Sequence, residues 1–225
     1  MNTRSLIIEV TRRCNMSCDH CLRGCQQAID IDHAHIDGIM QKVDSIGTIT
    51  FTGGEPSLNV DAIEYALSSA KKYGVEVGSF YIATNGLNIS ESFVISCLKW
   101  YAYCYEKEMC RVDVSNDYYH AACGKYNTDI LDGLSFFGRR NTEECAELNL
   151  LNEGNALEFG IGSRENTDYG FDVCDGDIED GDLYLNANGD IISGCDWSYE
   201  SQESHKVCNV SDLNIELIKE YQNKD

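Results

Sequence analysis

The sequence predicts an α/β protein, a partial (β/α)6, TIM-like barrel followed by a small C-terminal hairpin and helix. Short runs of β-branched and aromatic residues alternate with segments of helical period, which is typical of parallel strands joined by crossover helices. Six such units in 225 residues fall short of a closed barrel of eight, which takes about 250 residues. We therefore expect an open barrel in a core domain of residues 1–170, with an extension over residues 171–225.

Each predicted strand is a short apolar run, and the runs lie at residues 5–11, 48–54, 77–86, 111–117, 134–138 and 156–162. Helices are predicted at 35–46, after a cap at Asp61, after a cap at Ser90, around 121–132 and near 142–152. After residue 170, Asn188-Gly189 indicates a hairpin turn, and Ser211 is expected to cap a final helix. Ligands in such folds bind at the carboxyl ends of the strands, so we expect the chemistry there.

The acidic composition narrows the classes of partner. The chain carries 38 acidic and 17 basic residues, a formal net charge of -21, and such a field repels a polyanion such as DNA or long RNA. We therefore expect no nucleic-acid polymer as partner. The N-terminal apolar run is too short for a signal peptide, and no stretch reaches the roughly 18 apolar residues of a membrane helix. The sequence thus predicts a cytoplasmic protein without a membrane partner.

Four of the twelve cysteines fall in "TRRCNMSCDHCLRGC", residues 11–25. In a reducing compartment, such clusters are more often metal ligands or catalytic thiols than disulfides. Cys14, Cys18 and Cys21 follow the first strand, and thiolates at this spacing converge on one small site. A 4Fe-4S cluster with three cysteine ligands keeps one iron open. The rival is a structural zinc held with His20 or Cys25 as fourth ligand, and the spacing alone leaves both alternatives open.

The end of the second strand separates these alternatives. "CNMSCDHC" resembles the C-x3-C-x2-C loop of the radical S-adenosylmethionine (radical SAM) superfamily, and "FTGGEP" resembles its Gly-Gly-Glu-Pro motif. "ATNG" and "DVSND" are similar to weaker motifs of the family, in the same order along the chain. The resemblance covers roughly residues 5–165.

The resemblance implies a radical SAM enzyme, which is oxygen-sensitive. Cys14, Cys18 and Cys21 would ligate three irons of a 4Fe-4S cluster, and S-adenosylmethionine (SAM) would chelate the fourth. An electron donor such as flavodoxin or ferredoxin would reduce the cluster. SAM would then be cleaved to methionine and a 5'-deoxyadenosyl radical that abstracts a substrate hydrogen, while the protein orients the reactants and excludes solvent.

The same resemblance implies the residues that bind SAM. They are Gly53, Gly54, Glu55, Pro56, Asn85, Ser115, Asp117 and His20. The two glycines would let the backbone approach the SAM amino group. Glu55 would accept a hydrogen bond from that amino group, and Pro56 would fix the turn. Residues Ser115 and Asp117 would contact the ribose or carboxylate, and the "ATNG" segment would line the adenosyl pocket.

Two departures from the family pattern are visible. Where the family usually has an aromatic residue before the third cysteine, this chain has His20, which would pack over adenine or be a satisfied polar group. The late glycine-rich motif is only partly matched, by "GIGSRE" with Gly162 and Glu165. His120, after the fourth strand, is either a loop histidine or a proton donor at the site.

The C-terminal segment bears on the substrate. Cys174, Cys195 and Cys208 are similar to a shortened SPASM or Twitch extension, which binds an auxiliary cluster in many peptide-modifying members. Either these three bind a second iron-sulfur cluster or the segment is a hairpin and helix that caps the barrel. The likeness favours a peptide or protein substrate. The alternatives are a nucleotide or other small molecule, a partner protein that receives a glycyl radical and, in another class, a cysteine-rich zinc-binding interaction module.

Overall fold

The computed structural model describes residues 1–121, 128–141, 149–167 and 170–223. Its N-terminal part alternates strands and helices, as the sequence predicts. The parallel strands are β1 (Asn2–Thr11), β2 (Ser45–Gly53), β3 (Glu76–Thr84), β4 (Arg111–Asn116) and β5 (Phe137–Asn141). The helices are α1 (His33–Met40), α2 (Val60–Tyr73), α3 (Glu91–Tyr103), the short α4 (Tyr118–Ala121) and α5 (Gly154–Glu158).

The C-terminal strands extend the same sheet. They are β6 (Asp172–Cys174), β7 (Asp177–Leu185), β8 (Asp190–Ser193) and β9 (Lys206–Asn209), and α6 (Ile215–Gln222) follows them. Strand β7 pairs in parallel with β1, and β8 and β9 then add antiparallel strands. The order in the described residues is β5-β4-β3-β2-β1-β7-β8-β9, with β6 on β7 and the sheet not closed. The predicted open α/β barrel is confirmed. The sheet continues across residue 170, and the division at that residue stays a prediction.

The helix α2 shows how this sequence builds the core. Asn59 caps it by accepting a hydrogen bond from the Ala62 amide, so the predicted cap at Asp61 is off by two residues. Its apolar face, which includes Ile63 and Leu67, is buried against the sheet. The helix ends at Gly74, whose φ of 72° lies in the left-handed region that glycine adopts without strain.

The predicted sixth strand at 156–162 is wrong. Its first residues lie in the helix α5, and the rest have no regular structure. The apolar run does not face the core, because Leu157 is 54% exposed and Phe159 is 57% exposed. The sixth parallel strand is instead β7, which lies beside β1.

Other boundaries also differ. The helix predicted at 35–46 ends at Met40, and the later apolar positions belong to the turn and to β2. Residues 122–127 and 142–148 of two predicted helices lie outside the described residues, and the described remainders at 128–132 and 149–152 are not helical. Asn214, not Ser211, caps α6. The Asn188-Gly189 hairpin and the Ser90 cap are confirmed.

Within the described ranges, no helix has the length and apolar character needed to cross a membrane. The cytoplasmic location stays a prediction.

Candidate active site

The ends of β1 and β2 are joined directly. The Gly54 amide donates to the Thr11 carbonyl at 2.9 Å, and the Glu55 amide donates to the Arg13 carbonyl at 2.8 Å. A Cβ atom at Gly53 or Gly54 would overlap the backbone of residues 11–13, and Gly53 has a φ of 141°. These two glycines are therefore required for the close approach of the cysteine loop, whether or not a ligand is bound.

Glu55 is buried at this junction with uncharged partners. Its Oε1 accepts from the Ser57 amide at 3.1 Å and from the Thr84 hydroxyl at 2.6 Å, and its Oε2 accepts from the Asn85 amide at 2.7 Å. The side chain is 1% exposed, and it has no ion pair among the described residues. Pro56 begins the one-turn helix Pro56–Leu58 that Glu55 caps. The carboxylate thus ties β2 to β3, and its charge has no counter-ion in the part of the chain that the structure describes.

The cysteine loop encloses a small cavity. Cys14, Cys18 and Cys21 line a cavity of about 130 Å³, and Cys25 lines it as well. Among the described residues, the lining holds no carboxylate and no imidazole. Burial raises the pKa of the Cys14 thiol. Thiolates are the ligands of iron-sulfur clusters, so this donor set fits the cluster that the motif implies.

The sulfurs of the described loop cysteines are not spaced as three ligands of a single zinc ion. Zinc binds each sulfur at about 2.3 Å, which places its sulfurs about 4 Å apart. In the described part of the chain, no three of the loop's cysteines bring their sulfurs within 4.8 Å of one another. Sulfurs that bind three different irons stand farther apart. His20, the other expected zinc ligand, does not line the cavity.

Two asparagines fix the cysteine loop. Asn155 of α5 donates from its backbone amide to the Cys21 carbonyl and from Nδ2 to the Cys18 carbonyl, both at 2.9 Å. Asn85, after β3, donates from Nδ2 to Asn15 Oδ1 at 2.7 Å and lies 3.9 Å from the Cys14 sulfur. The prediction placed Asn85 at the site and missed Asn155, because no motif in the sequence marks a residue this far from the cysteines.

A buried charged network lies beside the loop, where β1 meets the C-terminal strands. Glu9 is fully buried and accepts from Arg12 Nε and from the Tyr184 hydroxyl, both at 2.6 Å, and from Gln202 Nε2 at 3.0 Å. Burial alone raises the pKa of Glu9, but Arg12 and Arg23 outweigh this and leave it below 4.5. Arg12 and Arg23 lie in the quoted cysteine segment, but the sequence analysis gave them no role, and Glu9, Tyr184 and Gln202 lie outside its motifs.

Arg23 connects the loop to the C-terminal segment. Its Nη2 donates to the Cys195 carbonyl at 2.7 Å, and its Nη1 donates to the Trp197 carbonyl. The guanidinium also lies 5.0 Å from the centre of the Tyr184 ring. The segment after β8 is therefore fixed against the cysteine loop by one buried arginine.

The end of β4 brings together three polar side chains. Asp117 Oδ1 accepts from the backbone amides of Tyr119 and His120 at 3.0 Å, and Oδ2 lies 2.6 Å from His120 Nδ1. Hydrogen bonds from His120 lower the pKa of Asp117 to about 2, although burial opposes them. The His20 ring stacks on Tyr119 and lies edge-on to His120. The ligand atoms of His20, Asp117 and His120 lie within 4.8 Å of one another. Ser115 is half-buried on β4.

The mouth of the barrel is open on the cysteine side. A cavity of about 480 Å³ is lined by His20, Cys21, Gly53, Arg140 and Arg164, with other residues of the strand ends. A neighbouring cavity of about 770 Å³ shares Arg164 and reaches Cys195. Both volumes lie in the range of ligand pockets.

The three C-terminal cysteines are not brought together. Cys174 on β6 pairs with Asp177 at the start of β7, whereas Cys208 pairs with Ile191, which pairs with Leu185 at the end of β7. Eight residues along a strand, at about 3.3 Å each, separate these two ends by about 26 Å. One cluster held by Cys174, Cys195 and Cys208 together does not fit this sheet register.

The comparisons place the chain in a family. Residues 8–131 match the model of the Radical SAM superfamily. The fold resembles two solved structures titled native anSMEcpe with bound AdoMet and the Kp18Cys or the Cp18Cys peptide. Each has 13% identity to this chain and a TM-score of 0.59. The two matches cover 100% and 99% of this chain, and each covers 82% of the anSMEcpe chain. Streptococcus suis SuiB bound to precursor peptide SuiA has 13% identity and a TM-score of 0.45, with 96% of this chain and 64% of that chain covered.

No curated protein matches the chain. The family model spans more than half of the residues, and it includes the cysteine loop, the Gly-Gly-Glu-Pro turn and the ends of β3 and β4. A family match of this extent, together with a shared fold over the whole chain, identifies the protein as a member of the radical SAM superfamily, for which a 4Fe-4S cluster and SAM are implied.

Proposed function

We propose that this protein is a radical SAM enzyme that acts on a peptide or protein side chain. The observation that carries the proposal is the meeting of the first three strand ends, where three cysteines line one cavity and Glu55 lies buried with no counter-charge among the described residues. The cluster, when bound, supplies the electron that cleaves SAM to methionine and the 5'-deoxyadenosyl radical, which takes a hydrogen atom from the substrate.

The chain's own residues hold and orient the reactants. Cys14, Cys18 and Cys21 hold the cluster as thiolates. Glu55 pairs with the SAM ammonium group, because a buried carboxylate with only neutral donors around it gains most from a cation. Within the described ranges, Oε2 has one partner, the Asn85 amide, and it keeps acceptor capacity for that ammonium.

The remaining SAM contacts are assigned from the positions of the residues in the fold. The strand ends at Asn85 and Ser115 face the same edge of the sheet as the cysteine loop, so they border the nucleoside. Asp117 already forms a hydrogen bond with His120. Its carboxylate contacts SAM while that hydrogen bond is kept. His20 packs against the nucleoside with the ring face that Tyr119 does not cover. Water is excluded by the C-terminal segment that Arg23 fixes.

Peptide modification is supported by the shared fold with anSMEcpe, which is seen with AdoMet and a peptide. A second candidate, an anionic nucleotide or other small molecule, is favoured by Arg140 and Arg164 at the mouth cavity, because guanidinium groups bind phosphate and carboxylate well. An electron donor such as flavodoxin or ferredoxin completes the proposed reaction.

The first experiment measures iron and sulfide per chain after anaerobic reconstitution. The parent is compared with the triple variant Cys14→Ala, Cys18→Ala, Cys21→Ala and with a matched triple variant, Cys174→Ser, Cys195→Ser, Cys208→Ser. We expect about four irons in the parent and the C-terminal variant and none in the first variant. Loss of iron from the C-terminal variant would contradict the ligand assignment, and a parent without iron would contradict the proposed function.

The second experiment identifies the substrate class. The reduced enzyme is incubated with SAM and with deuterated peptides or, separately, deuterated nucleotides from cells grown in heavy water. Transfer of substrate hydrogen makes 5'-deoxyadenosine heavier by one deuterium. Label from the peptide fraction alone supports peptide modification. Label from the nucleotide fraction alone would replace it with the second candidate.

A further inference from the structure

Tyr199 reaches the cysteine cavity from the far end of the chain. It lies in the segment between β8 and the one-turn helix Ser201–His205, and it lines the same cavity as Cys14, Cys18 and Cys21. Its backbone amide donates to the Arg23 carbonyl at 3.1 Å, which fixes the residue against the cysteine loop.

The Tyr199 hydroxyl has no hydrogen-bond partner among the described residues. The residue is 9% exposed, and the hydroxyl oxygen is inaccessible to solvent. The Arg12 guanidinium lies over the face of the ring, 4.5 Å from its centre. A buried hydroxyl without a partner is destabilising, so a fixed ring with an unpaired hydroxyl indicates a partner that the described protein atoms do not provide.

The hydroxyl is protonated at neutral pH, because an ordinary phenol has a pKa of about 10, and it can therefore donate a hydrogen bond. Burial raises the pKa of Tyr199, and the nearby charges of Glu9 and Cys21 raise it further against the effect of Arg23. A protonated phenol beside thiolates can donate to sulfur. No other side-chain hydroxyl or amide that lines this cavity is both buried and unpaired within the described ranges.

We propose that the Tyr199 hydroxyl donates a hydrogen bond to a sulfur atom of the cluster held by Cys14, Cys18 and Cys21, and that this bond raises the reduction potential of the cluster. The inference rests on the proposed function. Hydrogen bonds to the sulfurs are one of the factors that set the potential of such clusters. The reduced cluster carries one more negative charge, so a donor stabilises the reduced form more than the oxidised form.

This hydrogen bond lets the C-terminal segment influence the reduction potential of the cluster at the cysteine loop, and it requires no second cluster. Tyr199 sits four residues after Cys195, whose carbonyl is bound by Arg23. Any change that moves this segment away from the loop removes the donor and lowers the potential. The extension then acts on the electron-transfer step by a single hydroxyl.

The test is a redox titration of the reconstituted holoenzyme, followed by electron paramagnetic resonance of the reduced cluster. The variant is Tyr199→Phe, which keeps the ring. The control is Tyr184→Phe, which removes a buried hydroxyl from the same charged network, where it donates to Glu9, but does not line the cavity. We expect Tyr199→Phe to hold about tenfold less reduced cluster at a fixed applied potential, a shift of about 59 mV, and Tyr184→Phe to behave as the parent.

A second measurement separates this role from packing. Without the cluster, Tyr199→Phe should unfold at the same denaturant concentration as the parent or a higher one, since no bond is lost. An unchanged potential in Tyr199→Phe, or an equal shift in Tyr184→Phe, would overturn the inference while the proposed function stands. A parent that binds no iron would overturn both.

Discussion

Two joints of the sheet, by which we mean places where neighbouring strands meet beside the cysteine loop, each contain one buried carboxylate. The joints differ in how the charge of that carboxylate is balanced. At the joint of β1 with the C-terminal strands, Glu9 is paired with Arg12 and lies near Arg23. At the joint of β2 with β3, the described residues that donate hydrogen bonds to Glu55 are all neutral. Among the described residues, the first joint has its charge balanced by arginine, whereas the second has no cation beside its carboxylate, and there we propose that the SAM ammonium group binds. Burial alone therefore does not distinguish the two carboxylates; the balance of their charge does.

The largest effect is expected for Glu9→Gln. This change keeps the shape of the side chain but leaves Arg12 and Arg23 buried without their anion, which costs about 3–5 kcal/mol of unfolding free energy. Equilibrium denaturation of the chain without its cofactors measures it. A loss below about 1 kcal/mol would show that the arginines are neutralised elsewhere and would remove the contrast between the two joints.

A smaller effect is expected for Glu55→Gln. The amide can keep the bonds from Ser57 and Thr84 but cannot accept from the Asn85 amide, and one unsatisfied donor costs about 1–3 kcal/mol. No buried cation is left unpaired, so the loss should stay below that of Glu9→Gln in the same denaturation experiment. SAM at saturating concentration should stabilise the parent holoenzyme more than this variant. Equal stabilisation by SAM would contradict the role given to Glu55.

The pH dependence of stability tests the charge balance of Glu9 at the first joint. The pKa of Glu9 is lower in the folded chain than its ordinary value of 4.5, so the folded state favours the ionised form. The stabilisation is present above about pH 4.5 and is lost as the pH falls from there toward the folded pKa, by at most about 1.4 kcal/mol per pH unit. Unfolding free energies measured from pH 6 to pH 3 should fall less steeply in Glu9→Gln. Parallel curves would mean that Glu9 does not titrate with folding.

The smallest effect is expected for Glu179→Gln. This change removes an exposed ion pair that joins β1 and β7, as the Glu9 network does, so the comparison isolates the effect of burial. Glu179 on β7 pairs with Arg4 of β1 at 3.1 Å, and their side chains are 48% and 72% exposed. Solvent screens such a pair, so its loss should cost about 0–1 kcal/mol. Denaturation in low and high salt measures it. A cost close to that of Glu9→Gln would contradict the view that burial makes the Glu9 network costly to break.

Local sequence determined the part of the site that is built from neighbours in the chain. The spacing of Cys14, Cys18 and Cys21 and the Gly53-Gly54-Glu55-Pro56 turn could be recognised because each is a short contiguous pattern that resembles a motif of the family. The order of strands and helices from β1 to β4 followed for the same reason, since apolar periodicity is a local property.

Only the tertiary structure decided the residues that join distant segments. The sixth parallel strand is β7 rather than residues 156–162, because strand position depends on which apolar run reaches the edge of β1. Asn155 and Tyr199 contact the cysteine loop across more than a hundred residues, and Glu9 meets Gln202 in the same way. Such contacts arise when the sheet brings strand ends together, and no periodicity or motif spacing in the sequence records them.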